Sequence, residues 1–217
     1  ANEMVQCSLC PHGCKIREGG TGICRVRQNR KGTLYANNYG KVSSIAMDPL
    51  EKKPLYHFYP GKYILSVGTV GCNFKCSFCQ NYHIAQQDAQ TSSVAPRYLL
   101  NVCRNEEQCI GLAFTYNEPN VWYEYVLETA EIIKQEGLKT VLVSNGFISL
   151  HPLKELLPSI DAMNIDVKGF SEKYYREICG GSLREVQQTV EAAAEKAFIE
   201  ITTLVVPGYN DSIEEIK

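Results

Sequence analysis

Residues 63–79 read YILSVGTVGCNFKCSFC, a run of β-forming apolar residues that leads directly into three closely spaced cysteines. The apolar half, 63–70, is rich in Val, Ile and Leu and predicts a buried strand. The polar half is a loop that carries Cys72, Cys76 and Cys79 in a C-x3-C-x2-C pattern. In parallel α/β folds, functional groups follow the carboxyl ends of the strands, so this loop is a candidate site.

The rest of the chain alternates apolar β-rich runs with helical patterns, which predicts repeated βα units around a parallel sheet. Five strands are expected, at 63–70, 110–116, 140–144, 162–167 and 198–205. Helices are expected at 96–104, 120–136 and 183–196. Ser182 is the candidate N-cap of the last helix, and Gly137 is the candidate end of the second. Periodicity alone does not decide between a barrel and an open doubly wound sheet.

The first 60 residues differ from the rest, with short segments, glycines and polar turns that indicate a small module in need of a stabilising metal or cross-link. Four cysteines lie here, at Cys7, Cys10, Cys14 and Cys24. Four thiolates suit a structural zinc ion, and an auxiliary iron–sulfur cluster is the rival interpretation. We therefore expect a Cys-rich module at 1–60 and a catalytic domain at 61–217.

Composition narrows the class of protein. The chain has 22 Lys and Arg against 24 Asp and Glu, a formal charge of -2, which gives little support to binding of nucleic acid or anionic lipid. No apolar run reaches the length that spans a bilayer, so a cytoplasmic protein is expected. Ten cysteines in such a protein indicate metal ligation rather than disulfides. Cys103, Cys109 and Cys179 stand apart and are expected to be ordinary buried residues.

The C-x3-C-x2-C loop has a specific chemical meaning. Three thiolates can hold a cubane [4Fe-4S] cluster and leave its fourth iron without a protein ligand, open to a substrate. If S-adenosylmethionine (SAM) chelates that iron, an electron from the reduced cluster can break its sulfur–carbon bond and release a 5'-deoxyadenosyl radical. The alternative is a zinc knuckle that borrows a distant ligand such as His83 or His57. The spacing, with Phe78 just before the last cysteine, resembles the radical SAM superfamily.

Two segments after later strands strengthen this resemblance. Asn117 and Glu118 look like the family's glycine-glycine-glutamate-proline segment, which implies that Glu118 accepts hydrogen bonds from the SAM ammonium and that Asn117 replaces a glycine. Ser144 and Asn145 are similar to the threonine-asparagine-glycine segment that faces the ribose in glycyl-radical activating enzymes. Taken singly, a helix-capping turn and a plain turn explain the two segments equally well.

Asp166 and Lys168 resemble the aspartate-x-lysine motif of those activating enzymes. The two residues are two positions apart at the end of a strand, so both side chains point to one face. The resemblance implies that they hold the SAM carboxylate or the target backbone, which makes them candidate catalytic residues and Asp166 a candidate cofactor contact as well. An ordinary salt bridge is the alternative.

Residues 48–61, DPLEKKPLYHFYPG, resemble the radical SAM enzymes of the AmmeMemoRadiSam system, a pyruvate formate-lyase activating enzyme-like branch. The resemblance implies a partial (β/α)6 TIM-like barrel, the radical SAM core, with a small N-terminal Cys-rich metal module. The chain ends at Lys217, before a sixth strand could form, so we expect the last strand to be missing and the core to be incomplete at the C-terminus.

Three functions are compatible with the sequence. The first is a glycyl-radical activating oxidoreductase, which takes hydrogen from a glycine of a partner protein and receives electrons from a donor such as flavodoxin or ferredoxin. The second is a radical SAM enzyme that modifies another protein side chain or a small molecule. The third is a non-catalytic scaffold with zinc at both cysteine sets.

Overall fold

The computed structural model describes residues 4–216, apart from the side chain of Glu215. Its strands are β1 (Val5–Gln6), β2 (Lys15–Ile16), β3 (Arg27–Arg30), β4 (Thr33–Ala36), β5 (Lys41–Val42), β6 (Ser44–Pro49), β7 (Tyr63–Gly68), β8 (Ser92–Ser93), β9 (Cys109–Phe114), β10 (Lys139–Ser144), β11 (Ala162–Asp166) and β12 (Phe198–Thr202). Its α-helices are α1 (Tyr82–Gln86), α2 (Pro96–Asn105), α3 (Tyr123–Gln135), α4 (Leu150–Leu156), α5 (Glu172–Tyr174), α6 (Leu183–Ala194) and α7 (Ile213–Ile216). Short 3₁₀ turns lie at Leu50–Lys52, Pro119–Trp122 and Leu157–Ser159, and a π-helical turn, Tyr175–Cys179, continues α5.

One six-stranded sheet in the order β12-β11-β10-β9-β7-β6 organises the chain. Strands β7, β9, β10, β11 and β12 run parallel, and helices connect them. This confirms the predicted α/β fold with a parallel sheet, and all five predicted strands are present. The last strand ends earlier than expected, at Thr202, and in residues 4–216 it is the outermost parallel strand.

The other edge of the sheet was not expected. Strand β6 lies within the segment predicted as the N-terminal module, yet it pairs antiparallel with β7 from Ser44↔Gly68 to Pro49↔Tyr63. The chain then turns back through the 3₁₀ turn, and Leu50 and Leu55 pack fully buried against inner-face residues of the neighbouring strands. The main sheet and its core therefore begin well before residue 60.

The two faces of β7 serve two parts of the core. Leu65 and Val67 face the helices and join the large cluster built with α2 and α3. Ile64 points to the opposite face, as strand alternation requires, and packs with Leu50 and Leu55. Apolar side chains therefore pack on both faces of the sheet. Among residues 4–216, no helix has both the length and the apolar character needed to cross a membrane.

The two predicted helix boundaries have different outcomes. Gly137 ends α3 as expected, with φ +76° and its N–H donating to the Lys134 carbonyl at 3.0 Å. Ser182 occupies the N-cap position of α6 as predicted, but its side chain makes no capping hydrogen bond. The Glu172 carboxylate takes that role instead, because it accepts hydrogen bonds from the first two N–H groups of α6 at 3.2 and 2.8 Å.

Candidate active-site cavity

A cavity of about 690 Å³ opens where the parallel strands end. The loops after the strands all contribute to its wall. The structure places every residue predicted to hold the catalytic cluster or SAM in this one lining: Cys72, Cys76, Cys79, Phe78, Asn117, Glu118, Ser144, Asn145, Asp166 and Lys168. Residues far apart in sequence therefore meet as the strand-end argument predicts.

The cysteine loop leaves β7 through a turn that only glycine fits. Gly71 has φ +92°, and a Cβ there would lie 2.7 Å from the Cys24 carbonyl oxygen. Its N–H donates to the Ile84 carbonyl at 2.8 Å, which ties the loop to the following helix. The close approach of Gly71 to Cys24 also brings the N-terminal module directly against the loop.

Cys179 supports the same loop from behind. It is fully buried, and its carbonyl accepts a hydrogen bond from the Lys75 N–H at 2.8 Å. Its thiol also forms a hydrogen bond with the Cys76 thiol. This bond lowers the pKa of Cys76, although burial opposes the effect. By contrast, burial raises the pKa of Cys72, and the nearby Glu118 carboxylate adds to the effect. Sequence reasoning treated Cys179 as an ordinary buried cysteine, and no spacing signal linked it to the loop.

The three loop thiols fit the donor set of a cluster. Thiolates around a single zinc ion lie about 3.8 Å apart, given a Zn–S distance of about 2.3 Å, whereas each thiolate of a cubane binds a different iron and lies farther from the others. Within residues 4–216, no group of three or more His, Cys, Asp or Glu side chains is arranged to hold a metal ion. The zinc-knuckle candidates lie elsewhere: the His57 side chain is exposed, and His83 bonds to Gln87 at 2.8 Å.

Asp166 and Lys168 form a pair at the end of β11. Lys168 Nζ donates to Asp166 Oδ2. Burial opposes the charge on Lys168, but the Asp166 carboxylate outweighs it and raises the lysine pKa. The other oxygen, Asp166 Oδ1, is buried and has no hydrogen-bond partner in the described residues. Because a buried carboxylate oxygen without a donor is costly, this atom indicates a position for a donor on a bound molecule.

Glu118 is buried in the cavity wall, and its carboxylate joins two strand ends. It accepts hydrogen bonds from the Asn120 N–H at 3.0 Å, the Ser144 hydroxyl at 2.9 Å and the Asn145 N–H at 2.8 Å. Burial raises the pKa of Glu118, and these donors partly offset the effect. A carboxylate has about four acceptor positions, so about one stays open to a ligand donor such as an ammonium group.

Two asparagines connect this wall to the cysteine loop. Asn117 Oδ1 accepts from the Thr69 N–H at 3.0 Å, and its Nδ2 donates to the Gly71 carbonyl at 2.7 Å. Asn145 Nδ2 lies 2.9 Å from Asn73 Oδ1 and 3.8 Å from Cys72 Sγ. The Asn117 side chain therefore fixes the segment after β9 against the start of the cysteine loop.

The N-terminal cysteines form a second, much smaller site. Cys7, Cys10, Cys14 and Cys24 line one cavity of about 10 Å³. Burial raises the pKa of Cys10 to about 12. In residues 4–216 these thiols do not have the tight spacing of a single-ion site, so the metal predicted there stays a prediction. His12 connects this module to the cysteine loop through a 2.8 Å hydrogen bond between Nε2 and the Asn73 carbonyl.

Comparisons with known proteins agree with this geometry. The family model described as the radical SAM superfamily matches residues 66–217. An uncharacterized protein of Methanocaldococcus jannaschii is 41% identical over 219 residues, which cover 99% of this chain and 65% of that protein. The pyruvate formate-lyase 1-activating enzyme of Escherichia coli K12 is 24% identical over 153 residues, covering 65% of this chain and 60% of that enzyme. The chain thus spans about two thirds of the length of these curated relatives.

A solved structure extends the likeness to the fold. SuiB from Streptococcus suis, in a crystal structure with the precursor peptide SuiA, superposes with a TM-score of 0.54 at 15% identity. The match covers 77% of this chain and 37% of that one. With the family match over most of the chain and the cysteine loop at the strand ends, this chain belongs to the radical SAM superfamily.

Proposed function

We propose that Cys72, Cys76 and Cys79 hold a [4Fe-4S] cluster, and that the chain uses it to cleave SAM reductively and to abstract hydrogen from a glycine of a partner protein. A reduced cluster held by these thiolates would give one electron to the SAM sulfonium and would itself be oxidised, so that the sulfur–carbon bond would break to methionine and a 5'-deoxyadenosyl radical. The observation that carries this proposal is a shared cavity. Its lining contains the three thiols, the Asp166 oxygen without a hydrogen-bond partner and the Glu118 carboxylate with one open acceptor position.

The residues around the thiols supply binding and orientation. Glu118 and Asp166 offer acceptor positions for the SAM ammonium, and Lys168 offers a cation for its carboxylate. Phe78 stacks on Tyr174, with ring centroids 6.3 Å apart, and lies under the Lys168 ammonium at 5.8 Å. This arrangement orders the loop side of the cavity.

The direct test is SAM cleavage. Anaerobically reconstituted protein with SAM and dithionite is expected to release 5'-deoxyadenosine, and reduced flavodoxin or ferredoxin is expected to replace dithionite. Cys76→Ala should abolish the product, whereas the matched control Cys103→Ala, at a buried cysteine outside the cavity, should retain it. Equal product from both variants would remove the proposal.

The glycine target needs a separate measurement. Several relatives are named activating enzymes, and the E. coli protein above is one of them at 24% identity. A partner protein incubated with enzyme, SAM and reductant should show a glycyl doublet by electron paramagnetic resonance. Release of 5'-deoxyadenosine without any radical on the partner contradicts this version and favours modification of another side chain or a small molecule.

We also propose that the N-terminal cysteines Cys7, Cys10, Cys14 and Cys24 bind a metal, either zinc or an auxiliary iron–sulfur cluster. Support comes from the donor set, because four cysteines, two of them buried and two partly buried, line one small cavity. The ratio of iron to zinc in the protein separates the two. A protein that stays colourless after iron and sulfide reconstitution, with zinc at both sets, would instead be the non-catalytic scaffold.

A further inference from the structure

The cavity has a second polar group of residues that the proposed reaction does not use. Asp48, Lys52, Lys53 and Tyr116 line it together, and we call them the floor cluster. Asp48 pairs with Ile64, four residues before the end of β7, whereas the cysteine loop follows that end. Four residues of strand span about 13 Å, so the Asp48 backbone lies about that far along the sheet from the end of β7, after which the cysteine loop begins.

A buried ion pair with an unequal supply of partners forms the centre of the floor cluster. Lys53 is 2% exposed, and its ammonium donates to Asp48 Oδ2 at 2.9 Å. An ammonium has three protons to donate, and among the described residues Asp48 is its one hydrogen-bond acceptor. Its ammonium also makes a cation–π contact with the Tyr116 ring, whose centroid lies 4.6 Å from Nζ. Lys53 therefore has donors to spare, in the lining of an open cavity.

Asp48 is better supplied than Lys53, because it accepts hydrogen bonds from three side chains. Its Oδ2 also accepts from the Tyr116 hydroxyl at 2.8 Å, and its Oδ1 accepts from Lys52 at 3.2 Å. Burial opposes the Asp48 charge, but these donors outweigh it and lower its pKa. Burial lowers the pKa of Lys53, and Asp48 only partly offsets this. The pair is thus stabilised on the carboxylate side and short of negative charge on the lysine side.

Contacts with neighbouring residues hold the Tyr116 backbone in a conformation that tyrosine rarely adopts. Its φ of +73° is one that a bulky residue rarely adopts. The hydroxyl bond to Asp48 and a 2.5 Å bond from Asn81 Nδ2 to the Tyr116 carbonyl hold it there. Backbone strain of this kind concentrates at ligand-binding positions. The ring also packs over Gly68, where a Cβ would meet it at 3.0 Å.

We propose that the floor cluster is a subsite for a carboxylate group of the substrate, bound by the ammonium groups of Lys53 and Lys52. Two ammonium groups face one carboxylate, so the floor has one excess positive charge for an anionic group to neutralise. The Lys52 side chain is 68% exposed and is free to swing onto such a ligand. This inference rests on the proposed function, because it takes the molecule above the floor to be the substrate of the radical reaction.

Protection of Lys52 from acetylation tests the subsite. Full-length protein is treated with an amine-acetylating reagent, and the rates at Lys52 and at exposed Lys31 are read by peptide mass spectrometry. The probes are acetate and succinate, with acetamide and succinamide as neutral isosteres. We expect succinate or acetate to slow labelling of Lys52 at least about fivefold at several times its dissociation constant. The amides should not slow it, and the rate at Lys31 should not change.

Lys53→Met supplies the variant arm, since it removes the buried ammonium and leaves Lys52 as the reporter. Protection of Lys52 by succinate should fall to less than about twofold in this variant. Equal protection by acids and amides, or undiminished protection in Lys53→Met, overturns the proposal. Protection by SAM alone, to the degree that succinate achieves, assigns the floor to the cofactor and also overturns it.

The labelling needs no reductant and no SAM cleavage, so the two proposals fail separately. Loss of 5'-deoxyadenosine formation with protection intact removes the radical reaction and leaves an anion site. Normal SAM cleavage with no protection removes the subsite and leaves the radical reaction.

Discussion

Gly181→Ala should damage the cysteine loop from a distance, through a single ring. A Cβ at Gly181 would lie 2.1 Å from Cε1 and 2.8 Å from Cζ of Phe74, the middle one of the three residues between the first two loop cysteines. Phe74 is 1% exposed and packs against Phe147 and Tyr175 at centroid distances of 5.0 and 6.0 Å, so the ring has no room to retreat. Overpacking of this kind costs about 1–3 kcal/mol. The smaller entropy of an unfolded chain with alanine offsets about 0.4–1 kcal/mol of that cost.

The assay combines urea unfolding with iron content after anaerobic reconstitution. We expect Gly181→Ala to lose about 1–2 kcal/mol of unfolding free energy and a measurable share of its iron. Gly22→Ala is the matched control for unfolding free energy only, because its nearest contact would be an ordinary 3.4 Å. Its iron content is not a control, since a Cβ there would lie 3.6 Å from Cys14 Sγ in the second candidate metal site. Adding Phe74→Leu should recover part of the loss, since the two sites touch. Unchanged stability in Gly181→Ala, with the two substitutions strictly additive, would refute the proposed packing.

Three further predictions have expected outcomes. Asn117→Ala removes the bond to the Gly71 carbonyl and should weaken SAM binding, measured by equilibrium dialysis, while iron content is retained. Glu172→Ala should lower the unfolding free energy by about 1 kcal/mol, whereas Ser182→Ala should change it by less than about 0.5 kcal/mol. Although burial opposes it, two backbone N–H donors lower the pKa of Glu200, so its stabilisation is present above pH about 4.3 and is lost as pH falls through the folded pKa. Glu200→Gln should therefore be about 1 kcal/mol less stable than the native chain at pH 7 in urea unfolding, and the difference should disappear in acid.

The parallel sheet was predictable because its signal is local. Runs such as Tyr63–Gly68 and Ala162–Asp166 contain enough β-branched and apolar residues to be recognised singly. The cavity lining follows from the same strands, since every chemically distinctive segment comes directly after a strand end. The pairing of β6 with β7 was not predictable in this way, because the β6 sequence mixes exposed and buried positions without clear alternation.

Features that depend on residues far apart in the chain could not be predicted from the sequence. Glu172 caps α6 from 11 positions before its first residue, whereas local rules pointed to Ser182. The hydroxyl of Tyr116 reaches Asp48 across 68 positions, although both lie in segments singled out for their family resemblance. The sequence signal available for the floor cluster was a pair of lysines, Lys52 and Lys53, in the turn after an edge strand.

The central claim is that one iron of the cluster has no protein ligand. Electron paramagnetic resonance of the reduced protein tests this claim most directly. A cluster held by Cys72, Cys76 and Cys79 alone has one iron to which SAM can bind, so adding SAM should change the spectrum of the reduced [4Fe-4S] signal. This SAM-responsive signal should be lost in Cys72→Ala. A spectrum that stays the same on adding SAM, or a SAM-responsive signal that survives in Cys72→Ala, would contradict the account.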